Sequence, residues 1–161
     1  MSDSAWADAP ESVVAFAKAA ERYGELQSSE AEPVARWLQQ VQRSLLELYR
    51  LALDLPPSVE VIDDRRVRVE HEQWLDQFNR IGKAIASADG YWMVYEPFGD
   101  PAEPVYASLA DDLADVWRDL EEGFRTMRLT GSWRSAAWQW QWGLVNHWGQ
   151  HAVDAIAIIH H

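Results

Sequence analysis

The sequence predicts an all-α protein, a single-domain bundle of four to five helices around a central, tryptophan-rich C-terminal helix. Apolar residues recur at spacings of three and four along most of the 161 residues. Prolines and glycines divide the chain into segments of helix length. Five of the ten tryptophans lie between positions 133 and 148. One domain is the usual content of such a length, so we expect a flexible leader, residues 1–11, and one helical domain, residues 12–161.

The first two predicted helices are amphipathic and are joined by a short polar connection. The first covers about 12–26, where Val13 and Phe16 begin a series of apolar residues on one face. The second starts after Pro33, whose fixed φ suits the first turn of a helix. It carries a wide apolar stripe and ends before Pro56, because a proline disfavours the α region for the residue that precedes it.

The middle of the chain predicts one helix between two segments that are not helical. Over 59–70, valines alternate with polar residues, a pattern that fits a short β-hairpin and a charged loop equally well. A third helix is expected over 70–87, and Gly90 ends its pattern. The aromatic segment 91–98 is expected to be extended and to lead into a long loop that contains three prolines.

The last third of the chain predicts two regular helices. Across 109–124 the apolar residues form one stripe, and Asp111, Asp115 and Glu122 are expected to face the solvent. One continuous helix over 135–160 is expected to close the chain. It is apolar over most of its circumference, which is typical of a helix packed by neighbours on several sides.

Composition excludes several classes of function. With 26 acidic and 14 basic residues, the formal net charge is -12, so the chain would repel nucleic-acid phosphates. Neither a long apolar span nor a signal peptide is visible, so we expect a cytoplasmic protein without a membrane partner. The absence of cysteine excludes disulfides, thiolate metal sites and cysteine nucleophiles. The sequence also contains no phosphate-binding loop.

Two histidines on the last predicted helix are candidate catalytic or metal-binding residues. His147 and His151 lie one helical turn apart, a spacing that zinc-binding helices use. Asp112 and Asp119 flank the apolar stripe of the preceding helix on the same side, where either is placed to serve as a ligand or proton acceptor. A metal site would combine His147, His151 and Asp112 around a divalent ion such as Zn²⁺ or Ni²⁺. The alternative is a structural role for all four side chains, with no cofactor.

Five residues are candidates for a binding surface. They are aromatic or polar residues of the extended segment and of the histidine region: Tyr91, Trp92, Tyr95, Asn146 and Trp148. Aromatic residues are favoured at the centre of protein interfaces. The alternative for the extended segment is a strip that caps the open end of the bundle.

Two motifs stand out in the second half of the chain: SLADDLADVWRDL at 108–120 and NHWGQH at 146–151. With shorter matches over most of 45–156, they resemble an uncharacterised bacterial family known only as a domain of unknown function. The resemblance implies an all-helical domain and a bacterial source, and it assigns no catalytic residues.

A second resemblance is to the DinB-like metal-dependent helical bundles. The segment His147-Trp148-Gly149-Gln150 is similar to the His-x-Gly-Gln motif on a late helix of those proteins. Where their pattern has a further histidine, four residues earlier, this chain has Gly143. The second predicted helix also lacks a histidine, so the match does not extend to a three-histidine metal site.

The function expected from these observations is a non-enzymatic protein-interaction domain, for example one of immunity or antitoxin type. The acidic residues of 100–122 would speed association with a basic protein partner. The alternative is a metal-dependent or acid–base enzyme of DinB-like type that uses His147 and His151 with Asp112 and Asp119. A third hypothesis is a structural subunit that forms a homo-oligomer through exposed aromatic residues.

Overall fold

The structure is a computed structural model that describes residues 6–29, 33–58, 68–94 and 103–161. These residues form six α-helices and one two-stranded sheet, which confirms the predicted all-α class. None of these helices is long and apolar enough to cross a lipid bilayer. The elements are α1 (Glu11–Ser28), α2 (Val34–Leu53), α3 (His71–Ile85), β1 (Gly90–Val94), β2 (Pro104–Ser108), α4 (Leu109–Thr130), α5 (Trp133–Asn146) and α6 (Trp148–His160).

Helix α4 occupies the middle of the bundle, where it contacts α1, α3, α5 and α6. Its first turn is capped twice: Ser108 Oγ accepts the N–H of Asp111 at 3.2 Å, and Asp89 Oδ1 accepts the N–H of Ala110 at 2.7 Å. Its apolar stripe is buried over the whole length of the helix. The bundle is therefore organised around α4, and the tryptophan-rich C-terminal segment packs on it.

The predicted last helix is two helices, because the chain bends at His147 (φ -154°, ψ -87°). Gly149 permits this bend. A Cβ at Gly149 would lie 2.0 Å from the carbonyl oxygen of Leu144, so only glycine lets α6 begin so close to the end of α5. The apolar periodicity continues across the bend and no proline marks it, so the sequence pattern predicts one helix where the structure has two.

An aromatic cluster fills the core between α1, α4 and the C-terminal helices. Trp140 and Trp148 are completely buried, and Trp148 Nε1 donates to the carbonyl oxygen of Trp140 at 2.9 Å. Trp6 joins the cluster by stacking on Trp140 with ring centroids 5.8 Å apart. The described part of the predicted leader is thus anchored in the core from Trp6 onward, since burial of an indole is strongly favourable.

The extended aromatic segment is confirmed for Gly90–Val94, which is strand β1. It pairs antiparallel with β2, placing Trp92 opposite Tyr106. Strand β2 lies in the part of the chain where a proline-rich loop was expected. Pro104 is its first residue, a position where a strand tolerates the missing N–H. Residues 95–98 of the predicted extended segment, 99–102 of the predicted loop, and 59–67 of the predicted hairpin or charged loop lie outside the described residues.

Candidate functional site

Three aspartates of α4 lie on one face of the helix. Asp112, Asp115 and Asp119 follow the spacing i, i+3, i+7, which brings side chains together along a helix. Asp112 and Asp115 are buried, with exposed fractions of 4% and 7%. The prediction that Asp115 faces the solvent is therefore wrong, because α3, α5 and α6 also pack on α4 and cover this face.

Asp111 and Glu122, the other two carboxylates of α4 expected in solvent, are partly buried. Burial raises the pKa of both carboxyls above their ordinary values. Glu122 Oε1 accepts the backbone N–H of Val69 at 3.0 Å, and its Oε2 accepts from Gln139 Nε2 at 3.1 Å. Glu122 thus connects α4 to α5 and to the segment before α3.

The bend between α5 and α6 brings both histidines onto the aspartate face. Their ring centroids are 4.9 Å apart. His151 Nδ1 lies 2.8 Å from Asp112 Oδ1, and His147 Nδ1 lies 3.0 Å from Asp119 Oδ2. The other ring nitrogens approach one oxygen, Asp115 Oδ2, at 3.3 Å from His151 Nε2 and 3.7 Å from His147 Nε2. We call these five residues the His–Asp cluster.

Two further side chains contact Asp115 at the centre of the His–Asp cluster. Trp74 Nε1 donates to Asp115 Oδ1 at 2.6 Å. Arg118 Nη2 lies 3.1 Å from the same oxygen and 3.2 Å from His147 Nε2. Because a guanidinium has only donors, His147 Nε2 is the acceptor in this contact. We therefore assign the ring proton of neutral His147 to Nδ1, which donates to Asp119.

Tyr91 closes the other end of the cluster. Its hydroxyl donates to Asp112 Oδ2 at 2.6 Å. Burial and the neighbouring Asp112 raise the pKa of Tyr91, so the phenol keeps its proton. Burial also raises the pKa of Asp112 against the opposing effect of its hydrogen bonds. For His151, burial lowers the pKa, but the hydrogen bond to Asp112 and the nearby carboxylates outweigh it, so the net shift is upward.

Beside His147 lies a cleft of about 400 Å³ lined by residues of α3, α4 and α5 and by Arg68 and Val69, which precede α3. Three tryptophans form its aromatic walls, and charged side chains of α4 lie between them. The principal lining side chains are Trp74, Trp138, Trp142, Arg118, Asp119 and Glu122.

A sequence model of a domain of unknown function, DUF5063, matches residues 7–161. The chain belongs to this family. The resemblance to a helical family of unknown function is thus confirmed. Among solved structures, the crystal structure of protein BF1032 from Bacteroides fragilis, a structural-genomics target, is similar in fold, with a TM-score of 0.79. The two chains are 18% identical, with 97% of this chain and 93% of the other covered. No protein of curated function matches the sequence.

The candidate binding residues of this DUF5063 domain are placed in different surroundings. Trp92 is 68% exposed and packs edge-on against Tyr106. Asn146 is exposed at the end of α5 and lines the cleft. Trp148 is completely buried, so its indole belongs to the core and cannot contact a partner there. Tyr91 is part of the hydrogen-bonded network described above, and Tyr95 lies outside the described residues.

Gly143 shows why a DinB-like third histidine does not fit the DUF5063 packing. A Cβ at this position would lie 2.6 Å from Trp148 Cδ1 and 3.0 Å from Asp119 Oδ2. The space that a histidine would need is thus already filled by an indole and by the carboxylate that holds His147. Any metal site on this face has to draw on the aspartates of α4 instead.

Proposed function

We propose that this DUF5063 domain binds a divalent first-row metal ion, with Zn²⁺ the first candidate, through His147 Nε2, His151 Nε2 and the Asp115 carboxylate. One observation carries the proposal: both Nε2 atoms approach the same carboxylate oxygen, while both Nδ1 atoms are held by other carboxylates. Metal-binding histidines almost always donate their second ring N–H to a carboxylate or carbonyl, which orients the ring and raises its basicity.

The distances in the His–Asp cluster suit such an ion. Ligand atoms of Asp115, His147 and His151 lie within 4.8 Å of one another. In a tetrahedral zinc site with bonds of about 2.0–2.1 Å, neighbouring ligand atoms are roughly 3.3 Å apart. The separations of 3.3 and 3.7 Å between the Nε2 atoms and Asp115 Oδ2 are close to that value.

The carboxylate ligand in this proposal is Asp115 rather than Asp112, the ligand suggested by sequence. Asp112 already accepts a hydrogen bond from Tyr91 and contacts His151 Nδ1. It is therefore placed to orient the His151 ring rather than to bind the ion. A second group, formed by Asp111, Asp112 and His151, also brings ligand atoms within 4.8 Å. It would break the contact between Asp112 and His151, whereas the Asp115 group leaves both histidine–carboxylate contacts in place.

The contacts of Arg118 indicate that the proposed metal position favours a positive charge. Its Nη2 atom bridges Asp115 Oδ1 and His147 Nε2, two of the groups that would hold the ion. A metal ion would replace the guanidinium there. Three protein ligands would leave a coordination position for water, and a Zn²⁺ ion held there would lower the pKa of that water to about 7. The chemistry we propose is therefore metal-assisted hydrolysis of a small molecule in the adjoining cleft.

The same contacts make docking of a basic protein less favourable as the main role. Of the eight acidic residues in 100–122, three are Asp112, Asp115 and Asp119. These side chains are occupied by the histidines, Arg118 and Trp74 within the domain. A partner would have to compete with these partly buried contacts.

Isothermal titration of metal-free protein with Zn²⁺ tests the proposal. The His160→Ala/His161→Ala background is used because two adjacent terminal histidines can bind metal by themselves. We expect one site per chain, with the affinity reduced about 100-fold or more in Asp115→Asn and in His147→Gln. Asp111→Asn, which removes a carboxylate of the same helix, is the matched control and should bind normally. Loss of binding in Asp111→Asn but not in His147→Gln, or no binding in the parent protein, would overturn the assignment.

A further inference from the structure

We propose that the cleft beside His147 binds a small aromatic carboxylate, with its ring on the indoles and its carboxylate on Arg118. The aromatic part of the argument rests on the cleft walls. Trp138 and Trp142 come from α5 and stack on each other with ring centroids 6.4 Å apart. Trp74 comes from α3 and is itself stacked on His71 and Phe78. Trp142 is 51% exposed, so a large planar surface faces solvent beside a cleft of about 400 Å³, the size of a small-molecule site.

The polar groups of the cleft indicate which ligand charge it favours. The carboxylates have donors of their own: Asp119 Oδ2 contacts His147 Nδ1, and Glu122 accepts from Val69 and Gln139. Arg118 uses Nη2 for its contacts with Asp115 and His147, and its Nε lies 3.9 Å from Asp119 Oδ1. Among the described residues, Nη1 donates no hydrogen bond. Nη1 of Arg118 therefore keeps the capacity to donate to an anionic acceptor.

A carboxylate fits this donor better than other acceptors do. The planar guanidinium forms parallel hydrogen bonds to a planar carboxylate, and such charge-assisted pairs are stronger than neutral ones. Arg68 also lines the cleft and adds a second positive charge. The net charge of -12 opposes an anion at long range, but at physiological salt that repulsion is screened beyond about 8 Å. Within the cleft, Asp119 and Glu122 equal the two guanidinium groups in number, and their oxygens already contact His147, Val69 and Gln139.

Arg118 also links this cleft to the metal site, and this step rests on the proposed function. A ligand carboxylate that draws the guanidinium away would free Asp115 Oδ1 and His147 Nε2. The aromatic acid and the metal ion should then each increase the affinity of the other. The groups proposed to hold the aromatic acid, the indoles and Arg118, are different residues from the proposed metal ligands.

Three probes that share a benzene ring and differ in charge test the ligand class by titration calorimetry on metal-free protein: benzoate, benzamide and benzylammonium. We expect benzoate to bind most tightly, and Arg118→Gln to weaken benzoate about tenfold or more, as loss of a hydrogen bond to a charged group does. Arg43→Gln, at an exposed position of α2 outside the cleft lining, is the control and should change nothing. Benzylammonium binding as tightly as benzoate, or benzoate affinity unaffected by Arg118→Gln, would overturn the proposal.

Trp142→Ala supplies a second test that does not depend on Arg118. Because this indole is half exposed, its removal should leave the fold intact while weakening benzoate and benzamide alike. Unchanged affinity for both probes would exclude the aromatic wall. Repeating the benzoate titration with saturating Zn²⁺ separates the two proposals. If the protein binds benzoate but not Zn²⁺, the cleft proposal holds and the metal-site proposal is wrong. If it binds Zn²⁺ but not benzoate, the metal-site proposal holds and the cleft proposal is wrong.

Discussion

The two buried sides of α4, the apolar side and the aspartate side, offer different hydrogen-bond acceptors to the donors that pack on them. On the apolar side, buried donors use backbone carbonyl groups that α4 supplies. Trp140 Nε1 donates to the carbonyl oxygen of Leu120 at 3.1 Å, and the Tyr23 hydroxyl donates to that of Leu113 at 3.0 Å. These bonds place neutral groups against neutral groups, so burial of the large rings is a net gain.

On the aspartate side, the equivalent donors use carboxylates. Trp74 Nε1 donates to Asp115 Oδ1 and the Tyr91 hydroxyl to Asp112 Oδ2, each at 2.6 Å. Burying carboxylates is unfavourable unless they are paired, and apolar residues of similar volume commonly stabilise such a position better. The apolar side of α4 therefore stabilises the fold, whereas the aspartate side holds buried carboxylates that cost folding free energy. Such a cost is expected of a binding site.

The largest effect is expected on the apolar side. Trp140→Ala removes a completely buried indole and should lower the free energy of unfolding by about 3–5 kcal/mol. Urea denaturation followed by far-UV circular dichroism measures the loss. Trp92→Ala, which removes an indole that is mostly exposed, is the control and should change the value by less than about 0.5 kcal/mol. Equal losses in the two variants would contradict the placement of Trp140 in the core.

A matched pair of tyrosines compares the two sides directly. Tyr23→Phe removes a hydrogen bond to a neutral carbonyl and should cost about 0.5–1.5 kcal/mol. Tyr91→Phe removes one to the Asp112 carboxylate and should cost about 1.5–3 kcal/mol. Both substitutions delete only an oxygen, so unfolding free energies at pH 7 can be compared without a change in ring packing. A larger loss for Tyr23→Phe would reverse the comparison.

The helical framework and part of the cluster were accessible from the sequence, because both depend on local spacing. Apolar residues at sequence spacings of three and four identify the apolar stripe of α4, whichever elements pack against it. The same arithmetic places Asp112 and Asp119 on the same side of α4 and His147 one turn from His151, and the structure brings these aspartates into contact with these histidines.

The central carboxylate, Asp115, does not follow from the apolar stripe, because that stripe predicts only one buried side of α4. Asp115 follows Asp112 by three residues and precedes Asp119 by four, so the spacing that paired those two could also have included it. Other features depend on contacts between distant segments. The bend at His147 depends on the contact of Gly149 with the Leu144 carbonyl, and β2 depends on a pairing across a proline-rich stretch.

The smallest expected effect concerns Glu122, which continues the row of carboxylates on the aspartate side of α4. Burial raises the pKa of Glu122, so the native state holds this proton more tightly than the unfolded chain does. The free energy of unfolding should therefore fall as the pH rises from the ordinary glutamate pKa, about 4.3, through the raised value. Glu122→Gln cannot titrate, so the stability of the parent protein relative to this variant should decrease over that range.

Urea denaturation of both proteins between pH 4 and 8 measures the difference. Glu72→Gln removes the same formal charge from an exposed position of α3 and controls for the change in net charge. Because Glu122 is only partly buried, solvent screening keeps the effect below those of Trp140 and Tyr91. If Glu72→Gln and Glu122→Gln follow the same course with pH, the carboxylate at 122 behaves as a surface charge. The unfavourably buried carboxylates on the aspartate side of α4 would then end at Asp119, within the His–Asp cluster.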